Sequence, residues 1–103
     1  MNLNRKKRLE NILNGHFNPV FLEVINESHG HRVPKDAETH FKLIVVSEAF
    51  ADLTRIQRHR LVQNLIQIEF TLGLHACSMH LCTPSEWQKN PQAIASPACA
   101  HQT

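Results

Sequence analysis

A chain of 103 residues with 42% hydrophobic content is long enough for one domain with a modest core. Charged residues make up 19% and the formal net charge is +2, which excludes a global electrostatic commitment to nucleic acid or to an anionic membrane surface. No run approaches the roughly 18 apolar residues of a membrane helix, and the opening MNLNRKKRLEN lacks the apolar stretch of a signal peptide, so a cytoplasmic chain is expected.

Residues 4–14, NRKKRLENILN, place Leu9, Ile12 and Leu13 at helical spacing, with Gly15 as the expected C-cap. Pro19 opens PVFLEVIN, a run rich in Val, Phe and Ile that predicts a strand ending at Asn26. The polar ESHGHRVPKDAET that follows, with one Gly and one Pro, reads as a long hairpin loop. HFKLIVVS is the second strand: Phe41, Leu43 and Val45 point one way, and His40, Lys42, Ile44 and Val46 the other. From Thr54, the expected N-cap, to Leu72 the period becomes helical. Ile56, Leu61, Leu65, Ile68 and Leu72 form a stripe, widened by Val62, Ile66 and Phe70 and ended by Gly73. HACSMHLC alternates as a third strand, with His75, Cys77, Met79 and Leu81 on one face and Ala76, Ser78, His80 and Cys82 on the other. Thr83, Pro84 and Glu86 supply a cap, an N1 proline and an N3 acid for a short last helix, PSEWQK.

Three strands cannot close a barrel, so helices must cover a sheet face, giving a two-layer α+β domain over residues 1–90. Residues 91–103, small and proline-containing, read as a flexible C-terminal tail.

Cys77, Cys82 and Cys99 form an odd set in a chain of intracellular type and are expected as free thiols. Histidine is in excess, at eight residues. HACSMHLC is the densest cluster of candidate ligands, yet it lacks the paired spacing of a zinc finger and divides its ligands between two strand faces. His75 differs from its neighbours because it starts the strand beside Gly73. If the long loop folds over that end, His29 or His31 reaches it and a two-histidine site with open coordination positions results. The alternative is a hydrogen-bonded strand-end His75 with solvated loop histidines.

No enzyme is expected. Cys77 and His75 lack a third orienting group, no phosphate loop or paired-acid motif occurs, and Asp36, Glu38 and Asp52 are scattered in loops. RIQRHR gathers Arg55, Arg58, His59 and Arg60 at a helix start, where they form either a phosphate-contacting patch or a solvated face. Arg5, Lys6, Lys7 and Arg8 read as a second basic cluster at a helix start.

The segments PVFLEVINES, VPKDAETHFKLIVVS, QRHRLV, LHACSMH and TPSEW, in this order and at these intervals, resemble the BolA family. The resemblance runs from Arg8 to the SPAC of the tail. It implies a class II KH-like αββαβα fold with a three-stranded mixed sheet and no GxxG loop, and this sequence has no GxxG. It further implies pairing with a monothiol glutaredoxin around a bridged 2Fe-2S cluster, two of whose ligands are the partner's cysteine and a glutathione thiolate. By position the resemblance assigns the other two to His75 and to His31, which precedes Pro34 by three residues, with His29 as the rival loop ligand. It also implies a DNA-binding regulator of stress responses, for which Arg55, Arg58, His59 and Arg60 are the candidate contacts. Alone, such a chain is expected to be a monomer or a weak homodimer, away from membranes.

Overall fold

The computed structural model describes residues 3–28 and 37–89. The expected tail at 91–103 and most of the expected hairpin loop, with His29 and His31, lie outside the described residues.

The first helix, α1 (Arg5–Phe17), starts on an Asn4 side chain that accepts from the Lys7 N–H. It runs through Gly15, against the expected C-cap there, and ends at Asn18, whose φ of 44° lies in the left-handed region. The apolar spacing explains the extension: Leu9, Leu13 and Phe17 recur every four residues and all are buried. Anchoring Phe17 in the core outweighs the cost of about 1 kcal/mol for a glycine in a helix interior. Strands β1 (Phe21–Asn26) and β2 (His40–Val46) pair antiparallel. A 3₁₀ turn, Glu48–Phe50, leads to α2 (Arg55–Leu65) and α3 (Gln67–Thr71), and the chain returns as β3 (Ala76–Cys82), parallel to β2. The helix α4 (Pro84–Lys89) closes the order. The sheet order β1-β2-β3, one antiparallel and one parallel pairing, is the expected three-stranded mixed sheet of an α+β domain.

Register divides the sheet cleanly. Phe41, Leu43 and Val45 face the main core, which α1 and α2 complete with Leu9, Leu13, Phe17, Val62 and Ile66. Ile44 and Val46 face the other way and form a smaller cluster with Cys82, covered by Trp87 of α4. Trp87 stacks on Phe21 with ring centroids 5.0 Å apart. Among the described residues no helix is long and apolar enough to cross a membrane.

The segment expected as one helix from Thr54 to Leu72 is two, broken at Ile66 (φ −102°, ψ 11°). Its expected apolar stripe is also displaced: Ile56, Ile68 and Leu72 are 63%, 53% and 58% exposed. The face turned inward carries Arg58, Val62, Ile66 and Glu69. Two of these four are charged, so hydrophobic spacing could not mark the buried face. Gly73 ends α3 as expected, with φ 124°. Its N–H donates to Phe70 O and the Leu74 N–H donates to Glu69 O, the paired bonds of a Schellman turn.

Candidate metal centre

Strands β2 and β3 begin side by side, with His40 opposite Ala76. The carbonyl of Thr39 accepts from the His75 N–H at 2.9 Å and the Ala76 N–H at 3.1 Å, which fixes where β3 starts. The imidazoles of His40 and His75 therefore meet at the mouth of the parallel pair, with centroids 6.1 Å apart and planes at 75°. Both residues are exposed. His40 Nδ1 shares a 2.9 Å hydrogen bond with the Thr39 hydroxyl, which restrains the ring and leaves Nε2 outside that bond.

The surrounding backbone is stitched to this end by three polar side chains. The Ser28 hydroxyl accepts from the N–H groups of Thr39 (2.9 Å) and His40 (2.8 Å) and donates to His40 O. Asn26 donates to Ala37 O and accepts from the Ser28 N–H. Both described ends of the β1–β2 loop are thereby held beside His40. Arg5 spans the other side: its guanidinium donates to Glu38 O, to Leu72 O at 3.0 Å and to the Glu69 carboxylate at 2.9 Å. One arginine thus ties together the segments that lead into His40 and His75. The Glu38 carboxylate in turn accepts the Arg5 backbone N–H at the positive start of α1.

Glu69 is 1% exposed and sits between Arg5 and Arg8, with Arg8 Nε at 2.7 Å. Hydrogen bonds from Arg8, opposed by burial and reinforced by Arg5, hold its carboxyl below the usual carboxylate range. The Cys77 thiol, packed against the main core, is pushed up to about 12 by burial, and that of Cys82 to about 11. Neither is a thiolate near neutral pH, so neither is a ready metal ligand. The donor set at this end is imidazole nitrogen, a fit to a borderline metal or to the imidazole positions of a mixed-ligand cluster. Among the described residues no group of three or more His, Cys, Asp or Glu comes together.

The family model for BolA-like protein matches residues 13–86, spanning both edges of this end of the sheet. The chain belongs to the BolA family. Similarity to individual BolA proteins agrees. It is 48% identical over 82 residues to BolA-like protein 1 of Bos taurus, covering 80% of this chain and 61% of that one, so it spans under two thirds of that relative's length. It is 46% identical over 92 residues to the DNA-binding transcriptional regulator BolA of Vibrio cholerae, covering 88% of this chain and 87% of that one. The solved structure of BolA1 from Arabidopsis thaliana superposes with a TM-score of 0.78 at 36% identity, over 84% of this chain and 98% of that one.

Within this BolA chain the second candidate set, Arg55, Arg58, His59 and Arg60, is not one surface. Arg55, His59 and Arg60 are exposed, but Arg58 is 7% exposed and its guanidinium is used inside the domain. It donates to Leu53 O (3.0 Å), Leu81 O (3.1 Å) and the Glu86 carboxylate (2.7 Å), and lies over the Phe50 ring. Glu86 is also the N3 acid of α4: it accepts from the Thr83 N–H at 2.9 Å while the Thr83 hydroxyl accepts from the Glu86 N–H, the reciprocal cap expected from the sequence. Arg58 is a clamp for the finishing end of the sheet, not a phosphate contact. His40 carries no signal in the sequence, because only the register of a parallel pair, joined across two helices, brings it to His75.

Proposed function

We propose that this chain is a BolA adaptor, not an enzyme. It pairs with a monothiol glutaredoxin in the reducing cytoplasm and contributes His75 of β3 and His31 of the β1–β2 loop to a bridged 2Fe-2S cluster. The partner's cysteine and a glutathione thiolate complete the ligation. One observation carries this reading: an exposed His75 at the mouth of the parallel pair, adjacent to both anchored ends of the loop that holds His31. His31 lies three positions after the anchored Ser28, a covalent reach of about 10 Å. His29 is the rival from the same loop.

A cluster held there has neutral imidazoles in place of anionic thiolates, which lowers its net negative charge and raises its reduction potential. Protons compete with the metal for imidazole nitrogen, so the assembly should be labile to mild acid. The deciding experiment is anaerobic titration of the chain into a cluster-loaded monothiol glutaredoxin, followed by visible circular dichroism and native mass. A new spectrum saturating at one to one, and lost in His75→Ala, is expected. An unchanged spectrum throughout overturns the reading.

A second reading, DNA binding, is favoured by the exposed Arg55, His59 and Arg60 at the start of α2 and by the printed name of the Vibrio relative. Few cations contribute, so the expected slope of log affinity against log salt is shallow, about −0.9 per phosphate contacted. Retention unaffected by Arg55→Ala and Arg60→Ala together would remove it.

A further inference from the structure

The feature that the cluster reading leaves unused is His40. We propose that His40 and His75 form a two-imidazole chelate for a single borderline divalent ion of the zinc or copper class, on the free chain and without the loop histidines. The inference shares His75 with the cluster site but does not depend on it.

The geometry is close to that of a bis-imidazole chelate. A Zn–N bond of about 2.0–2.1 Å places each ring centroid a little over 3 Å from the ion, so two rings on one ion have centroids about 5 Å apart at a tetrahedral angle and about 6 Å when the angle opens. The observed 6.1 Å lies just beyond that span, so the two exposed rings must turn toward each other to take a common ion. The tilt of 75° is a T-shaped approach, so turning the two exposed rings about their side-chain bonds is what brings a nitrogen of each toward one ion. The Thr39 hydroxyl, 2.9 Å from His40 Nδ1, is placed as the outer partner that metal-bound histidines usually have: with Nε2 on the ion, Nδ1 carries the proton and the hydroxyl accepts it.

Rigidity supports the assignment. His40 is held through its own N–H and carbonyl by Ser28 and Glu27, and His75 through its N–H by Thr39, while Arg5 ties residues 38 and 72. Two ligands leave further coordination positions to water, and exposure of both rings keeps these open. Imidazole suits zinc, copper and nickel, and the protonated Cys77 offers no softer competitor. Because one His75 cannot serve both, an ion on the pair excludes it from a cluster, which makes free divalent metal an antagonist of cluster ligation.

The test uses the full chain, with its thiols reduced, and zinc(II), which does not oxidise them. Zinc is titrated while the carbon-bound ring protons of all eight histidines are followed by NMR. Joint, saturable shifts of His40 and His75 at one ion per chain are expected. Outer partners alone are worth about 10–100-fold in metal affinity, so His40→Ala and His75→Ala should each weaken binding by at least about tenfold, and Thr39→Val by a similar factor. Amide spectra of the same variants report the fold. In the glutaredoxin titration, His40→Ala should retain the cluster spectrum and His75→Ala should lose it, and zinc should suppress the spectrum in the parent but not in His40→Ala. Undiminished zinc affinity in His40→Ala, shifts confined to other histidines, or no saturable binding overturns the proposal, whatever the cluster experiment shows.

Discussion

The two ends of the sheet use the same fastening for different results. At the finishing end of β2 and β3, Arg58 reaches Leu81 O and Glu86, the Thr83–Glu86 cap starts α4, and Trp87 lies over Ile44, Val46 and Cys82. That end is sealed. At the starting end Arg5 does the corresponding work, bonding Glu38 O, Leu72 O and Glu69, but no helix among the described residues covers the strands beyond it. His40 and His75 are consequently displayed on a backbone as well fixed as the sealed one. A buried arginine can thus close a sheet or hold its edge open in a fixed shape, depending on whether an apolar residue such as Trp87 follows.

The largest expected effect on stability lies at the open end. Glu69→Ala removes the carboxylate between Arg5 and Arg8 and leaves the Arg5 guanidinium buried without its counter-charge, at a cost of about 3–5 kcal/mol in urea unfolding. Against a typical total of about 5–15 kcal/mol this approaches loss of the fold. Because Arg5 also places residues 38 and 72, Glu69→Ala should weaken cluster ligation as well. Next comes Arg58→Ala at the sealed end, about 1–3 kcal/mol for stranding Leu53 O and Leu81 O, with cluster ligation unchanged. A cluster defect in Arg58→Ala would show that the ends are not independent. Trp87→Ala, half-buried, should cost about 2 kcal/mol, below the ~3–5 of a fully buried aromatic.

Acid sharpens the comparison further. Glu69 is held below its ordinary value of 4.5 by its arginines, so its contribution is present above that pH and is lost as pH falls through the folded value. His80 is pulled below 6.5 by burial and by Lys42. The folded state therefore disfavours its protonation, and stability declines as pH drops below 6.5. Unfolding at a series of pH values should show a slight His80 slope first and the Glu69 loss later, with the second absent in Glu69→Gln. Smallest of all, His75→Ala and His40→Ala, both exposed, should leave stability within about 0.5 kcal/mol of the parent.

Much of the fold was legible because it obeys simple periods. The alternation in HFKLIVV, the Thr83–Pro84–Glu86 cap and the stop at Gly73 are local chemistry, and each is where the sequence puts it. What was hidden depends on charge in buried places or on distant register. Arg58 and Glu69 occupy inward positions of α2 and α3, so of the expected stripe Ile56, Leu61, Leu65, Ile68 and Leu72 only Leu65 packs against the core and the other four are exposed. Arg5 looked like one of four surface cations, and only the tertiary structure reveals its clamp. His75 was found as the start of a strand, whereas His40 needed the β2–β3 pairing.

The two arginine clamps also differ in how much chain they span. Arg58 and Glu86 are 28 residues apart, whereas Arg5 and Glu69 are 64 apart. Closing the longer loop carries more entropy before any contact rewards it, so the open end is expected to close after the sealed one. During synthesis Arg5 and His40 emerge long before Glu69 and His75 exist. Until β3 has joined β2, His40 therefore has no His75 to face, and the pair exists only in the finished sheet.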